Sequence, residues 1–150
     1  MADAQTPPNP SSLSSLAKAM DATKTLKVML VEDHLAFRQA LALLLGHEGD
    51  LEVVAQAGSL AEARASAREA LGGDGQLDVA VIDLVLPDGG GSDLIGELRR
   101  SSPGVSVVIL SAAMGPGHVD EAAKAGADVV LDKVESIPTI AGEIRRLGGG

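Results

Sequence analysis

Five residues able to do chemistry stand at the ends of four separate apolar runs. Glu32 and Asp33 end KVMLVED, Asp83 ends DVAVID, Ser111 ends VSVVILS and Lys133 ends ADVVLDK. In a parallel sheet the C-terminal ends of the strands share one edge, and ligand sites form along it. The five residues are therefore expected to converge on one pocket. Three acids crowded there repel one another, by roughly 4 kcal/mol for each pair about 4 Å apart at an effective dielectric of 20. A hard divalent cation with oxygen ligands, Mg²⁺ or Mn²⁺, relieves that repulsion. Asp83 is the candidate nucleophile, since a carboxylate can attack phosphorus and hold the phosphoryl group as an acyl phosphate. Positioning and charge neutralisation do most of the work in such a transfer. Lys133 offers a point charge to a phosphoryl oxygen and Ser111 offers a hydroxyl. Backbone N–H groups just after Asp83 and Ser111, near Val85 and at Ala112, complete a cradle.

Alternating elements must position these groups. Leu26 onward reads as a first strand, LKVMLVE. A helix follows, with Phe37, Ala40, Leu41 and Leu44 as its inner face, and stops near Gly46 to Gly49. LEVVAQA reads as strand two. Leu60, Ala63, Ala67 and Ala70 mark helix two, ended by Gly72-Gly73. LDVAVID is strand three. PDGGG is a turn, and Ser92 or Asp93 can cap a third helix carrying Leu94, Ile95 and Leu98. Pro103-Gly104 breaks it before strand four, VSVVILS. Helix four is expected over His118 to Ala125, then strand five, ADVVLDK. Ser136 and Pro138 start helix five, with Ile137, Ile140, Ile144 and Leu147 on one face and LGGG just past its end. Strands alternating with helices imply a doubly wound α/β sandwich with a five-stranded parallel sheet, five helices and the order 2-1-3-4-5.

Composition narrows the classes. The 150 residues suit one domain, and 45% are apolar, enough for a packed core. That core must be aliphatic, because Phe37 is the only aromatic residue. The net charge is −9 and the 12 Lys and Arg are scattered, so no nucleic-acid face is expected on this chain. There is no cysteine, hence no disulfide or thiolate chemistry. No membrane span and no basic-then-apolar signal pattern is present, and a cytoplasmic location is the default expectation. Residues 1–24 read as a flexible extension, Pro- and Ser-rich at its start, with a short amphipathic helix over 12–21 formed by Leu13, Leu16, Ala17 and Met20. The folded unit is expected over 25–150. His34, beside the acidic pair, reads as a loop residue, and His47 and His118 have no metal-ligand spacing. Gly89-Gly90-Gly91 lacks the ending of a phosphate-binding loop and reads as a turn.

LVEDH, VIDLVLPDGGG, LSA and AGADVVLDK together resemble the receiver domain of two-component response regulators, over Leu26 to Leu147. The resemblance implies a flavodoxin-like fold in which Asp83 accepts a phosphoryl group from a sensor histidine kinase. It implies that Asp33 and Asp83 bind Mg²⁺ directly with the Val85 carbonyl, that Glu32 assists through water, and that Ser111, Lys133 and the Ala112 backbone contact the phosphoryl group. Pro87, Asp88 and Gly89 fall in the family's usual turn after the acceptor. Such a protein self-catalyses its phosphorylation and dephosphorylation and is not primarily an enzyme. Its output face comprises helix four, strand five and helix five, which would meet a protein partner or a twin subunit, a homodimer being open to that face or to helices one and five. Two departures mark this chain. Val130 stands where the family often has Tyr or Phe, and Val134 stands where many members have a cis-proline. The second resembles receivers attached to LuxR-type helix-turn-helix domains, so the chain reads as a stand-alone regulator or as the receiver piece of a transcription factor. Two rival readings differ in chemistry. A haloacid-dehalogenase-type phosphatase wants a second acid two residues after the nucleophile, where this chain has Val85. A degenerate receiver would act as a binding module alone.

Overall fold

The computed structural model describes residues 25–72, 75–112, 116–135 and 137–149. The expected extension over 1–24, with its helix at 12–21, lies outside the described residues. Strands and helices alternate as β1 (Leu26–Val31), α1 (Leu35–Gly46), β2 (Leu51–Ala57), α2 (Leu60–Ala70) and β3 (Val79–Asp83). A two-residue ribbon follows, Val85–Leu86 against Gly89–Gly90, then α3 (Ser92–Ser101) and β4 (Ser106–Ser111). α4 (Pro116–Ala125), β5 (Val129–Asp132) and α5 (Ile137–Gly149) complete the fold. The five main strands form one parallel sheet in the order β2-β1-β3-β4-β5, the order expected from the sequence.

The strands are rich in Val, Leu and Ile because side chains alternate to two covered faces. Met29, Val31, Ala80, Ile82, Val107 and Ile109 point to one face, against Leu60, Ala63 and Ala67 of α2, Leu94, Ile95 and Leu98 of α3 and Ala122 of α4. Val28, Leu30, Val79, Val81, Val108 and Leu110 point to the other, against Leu41 and Leu45 of α1 and Ile140, Ala141 and Ile144 of α5. The chain therefore winds helices onto both sides of the sheet. Among the described residues no helix is long and apolar enough to cross a membrane.

Four local expectations change. The buried line of α1 is Leu41 and Leu45, with Phe37 half-buried above them, whereas Ala40 and Leu44 face solvent. LAFRQALALLL is apolar on nearly every side, so its stripe cannot be placed by periodicity. α3 starts after Gly91, which takes the capping position, and neither Ser92 nor Asp93 caps it. α4 begins at Pro116, two residues earlier than expected. α5 continues through the glycines to Gly149.

The segment after β3 is held from two directions. The Gly91 N–H donates to the Leu84 carbonyl at 2.8 Å. The Asp88 carboxylate accepts the Leu60 N–H at 2.8 Å and the Ala61 N–H at 3.0 Å, so it closes the N-terminus of α2 from another loop. Those two backbone donors hold the Asp88 carboxyl below the usual carboxylate range. Gly91 permits the close approach: a Cβ there would collide with the Asp83 carbonyl oxygen and stand 2.8 Å from Ile82 Cγ2. Both are fixed parts of a central strand and cannot yield cheaply. Gly91→Ala is expected to lower unfolding free energy by about 2–3 kcal/mol, the upper range for overpacking. Urea unfolding followed by circular dichroism checks this, and a loss under about 0.5 kcal/mol, the level of an ordinary surface substitution, contradicts the tight approach.

Candidate functional site

The sheet changes winding direction at β1 and β3, so a crevice opens beyond the C-terminal ends of these neighbours. Glu32 follows Val31 at that edge. Its N–H donates to the Ala57 carbonyl at 2.9 Å, which keeps it in line with β2. Its own carbonyl accepts Arg38 Nη1 at 2.8 Å, and its Oε2 accepts the His34 N–H at 2.9 Å. Asp83 is the last residue of β3 and pairs in register with Leu110. Ser111 is the last residue of β4, and its carbonyl accepts the Lys133 N–H at 3.0 Å. That bond anchors the turn after β5 and brings the lysine side chain back over the crevice.

The side chains meet there. Carboxylate oxygens of Glu32, Asp33 and Asp83 lie within 4.8 Å of one another. Lys133 Nζ lies 2.7 Å from Glu32 Oε1 and 3.1 Å from Asp83 Oδ2. The contact to Asp83 is a hydrogen bond. The contact to Glu32 Oε1 is an ion pair without good hydrogen-bond direction, because that buried oxygen receives no directed donor. Glu32 and Asp83 are 2% and 6% exposed, and buried charges need a partner. Burial pushes the Glu32 carboxyl above its usual range and the Asp83 charge adds to the push. The Lys133 ammonium and the His34 N–H oppose it and do not prevail. Burial alone would lower the Lys133 ammonium, but Glu32 and Asp83 outweigh it and its pKa is raised. The lysine is therefore held firmly in its charged form.

Glu32, Asp33, Asp83 and Lys133 thus form one cluster, and Asp33 alone among the three acids is exposed. Ser111 is buried at the same edge, 3% exposed, in register with Asp132. Ala112 is exposed immediately beyond it. The Val85 N–H donates to Asp83 Oδ1 at 3.3 Å, while the residue as a whole is 65% exposed. His34 contributes its backbone, and among the described residues no histidine belongs to the acid cluster. Val130 is half-buried against the α2, α3 and α4 face, and Val134 is 87% exposed in the turn after Lys133. Two features were not foreseen from the sequence. Lys133 bridges two acids, whereas the strand-end pattern placed it against a phosphoryl group. Asp88 fixes the loop after Asp83 to α2, and the only sequence signal for it was a Pro-Asp pair in a turn. A groove of about 470 Å³ between α2 and α3 is lined by Arg64, Leu71, Glu97 and Leu98 among others and contains none of the site residues.

The cluster fits a divalent cation by the chemistry of its donors, which are hard oxygens drawn close together, one of them buried without a directed hydrogen bond. Comparisons with known proteins agree with the fold and with the family. A DNA-binding transcriptional activator, DevR/DosR of Mycobacterium tuberculosis, is 36% identical over 125 residues, 83% of this chain and 55% of that protein. The chain spans about half the length of the curated relatives it matches. The receiver domain of the putative response regulator NarL from the same organism superposes with a TM-score of 0.76 at 25% identity, covering 85% of this chain and 98% of that one. A LuxR-family two-component response regulator from Aurantimonas sp. SI85-9A1 gives a TM-score of 0.74 at 27% identity, covering 84% and 86%. Residues 28–145 match the model of the response regulator receiver domain, and the chain belongs to that family, as a receiver of the LuxR type in a two-component system.

Proposed function

We propose that this receiver accepts a phosphoryl group on Asp83 from the phosphohistidine of a sensor kinase, with Mg²⁺ bound by Asp33, Asp83 and the Val85 carbonyl and with Glu32 assisting. The observation that carries the reading is the placement of the Lys133 ammonium 3.1 Å from Asp83 Oδ2 within a cluster of three acids. An Asp83 carboxylate oxygen forms the new O–P bond while the P–N bond breaks and its electrons return to the imidazole. Lys133 moves its charge from the free carboxylate to an oxygen of the bound phosphoryl group. Ser111 and the Ala112 N–H serve the remaining oxygens from the end of β4. The Val85 N–H keeps the carboxylate turned into the crevice through its bond to Oδ1. The divalent cation, when bound, supplies charge that lets acids and phosphoryl group coexist.

The added charge, close to two units, biases the domain between two states. With Val130 on β5, no bulky ring can swing, so the signal travels by backbone shifts around Ser111, the loop beyond it and α4. The output face is α4, β5 and α5, and a twin subunit docks there or on α1 and α5. A cytoplasmic setting, self-catalysed loss of the phosphoryl group and the absence of DNA contacts by this chain belong to the same reading. The protein incubated with Mg²⁺ and acetyl phosphate is expected to gain the mass of one phosphoryl group. An unchanged mass rejects the reading in favour of a binding module, and multiple turnover of a generic phosphate ester favours a phosphatase.

A further inference from the structure

Phe37, the only aromatic residue of the chain, lies on α1 with its ring centroid 5.4 Å from Lys133 Nζ. It is half-buried and packs on the core of the α1 and α5 face. The ammonium thus has the Glu32 and Asp83 carboxylates against it at hydrogen-bond range and the face of a ring within the distance at which cation–π attraction acts. The three contacts differ in what happens when the site is used. Glu32 and Asp83 change partners once a cation and a phosphoryl group arrive. The ring does not, since it has no charge to surrender and no ligand to bind. It attracts without fixing direction, so the ammonium can move from one oxygen to another and stay over the crevice. A lysine has a flexible four-carbon stem and otherwise loses much freedom when held in one place.

We propose that Phe37 is a positioning residue: its ring holds the Lys133 ammonium over Asp83 while the lysine exchanges Glu32 for the phosphoryl group. The exchange rests on the phosphoacceptor reading above, whereas the contact itself does not. A role in packing alone is the rival account, and leucine or a fluorinated ring would serve packing nearly as well. Fluorine withdraws the negative charge from the ring face with little change of shape, so it separates the two. With one phenylalanine in the chain, fluorinated phenylalanine incorporated during expression labels this position alone.

Two readouts are taken across native, 4-fluoro, 3,5-difluoro and 3,4,5-trifluoro protein, with Phe37→Leu alongside. The first is ¹⁵N relaxation of the Lys133 ammonium in unphosphorylated protein, expected to show a more mobile Nζ with each added fluorine. The second is the rate of mass gain from acetyl phosphate with Mg²⁺, expected to fall stepwise to about two- to fivefold below native, as loss of an exposed or half-buried cation–π contact implies. The urea midpoint is expected to stay constant through the fluorinated series. Ammonium mobility and rate that ignore fluorination, or that follow the urea midpoint, overturn the proposal. If native protein gains no mass, the phosphoacceptor reading fails by itself, and the relaxation series still decides whether the ring holds the ammonium.

Discussion

Asp83→Asn protein is expected to keep its unmodified mass in Mg²⁺ and acetyl phosphate under conditions that add one phosphoryl group to the wild type. The amide has no carboxylate oxygen with which to attack phosphorus, so the loss should be complete and not a matter of degree. The substitution is close to isosteric; the Val85 N–H and Lys133 bond different oxygens of Asp83, so the single amide oxygen keeps one of the two, and Lys133 retains its ion pair with Glu32. Removing the Asp83 charge also relieves one of the influences that push the Glu32 carboxyl upward. The variant is accordingly expected to be no less stable than the wild type in urea without divalent cations. The two measurements together separate lost chemistry from lost structure. A phosphoryl gain that survives in a folded Asp83→Asn protein moves the acceptor to another residue.

Much of this site was legible in the sequence because it depends on topology more than on detail. Acids, a hydroxyl and a lysine at the ends of apolar runs need only a parallel sheet to be brought together, and the alternation of runs with helical patterns requires one. Strands were legible for the same reason: VAVID and SVVILS are buried on both faces and are apolar except at their ends. Helix faces were legible where polar residues frame them. Leu94, Ile95 and Leu98 of α3 stand among charged neighbours and are the buried ones. In α1 the frame is missing, so Leu44 was expected inside and is 44% exposed, while Leu45 is buried. Contacts between elements distant in sequence were the least legible. Nothing in the local pattern says that Asp88 accepts the backbone of α2, or that Phe37 on α1 lies beside Lys133 after β5. The double engagement of Lys133 belongs to the same class, for a lysine after β5 neutralises acids at the ends of β1 and β3.

That neutralisation has a cost when it is removed. Lys133→Met is expected to lower the unfolding free energy at neutral pH by about 3 kcal/mol, the lower end of what breaking a buried ion pair costs. The lower end is appropriate because the lysine side chain is 20% exposed, although those of Glu32 and Asp83 are only 3% and 8% exposed. The pH dependence follows from the direction of each shift. The Glu32 pKa is raised above the usual 4.5, so its ionisation opposes folding, and stability present at lower pH is lost as pH rises through its folded value. Lys133 restrains that rise through its close-lying charge, and without it the Glu32 value moves higher. The deficit of the variant should thus shrink toward pH 4.5 and widen toward neutrality. At the alkaline end the Lys133 pKa is raised above the usual 10.5, so the stability it gives the wild type is full below 10.5 and is lost as pH passes its folded value. The two proteins should converge again there. Mg²⁺ replaces the missing charge and is expected to stabilise the variant more than the wild type, since in the wild type it must compete with the ammonium for the same carboxylates. Urea denaturation from pH 4.5 to 8, with and without Mg²⁺, tests both statements. A deficit that stays constant across that range, or an equal gain from Mg²⁺ in both proteins, shows that the lysine does not neutralise this acid cluster.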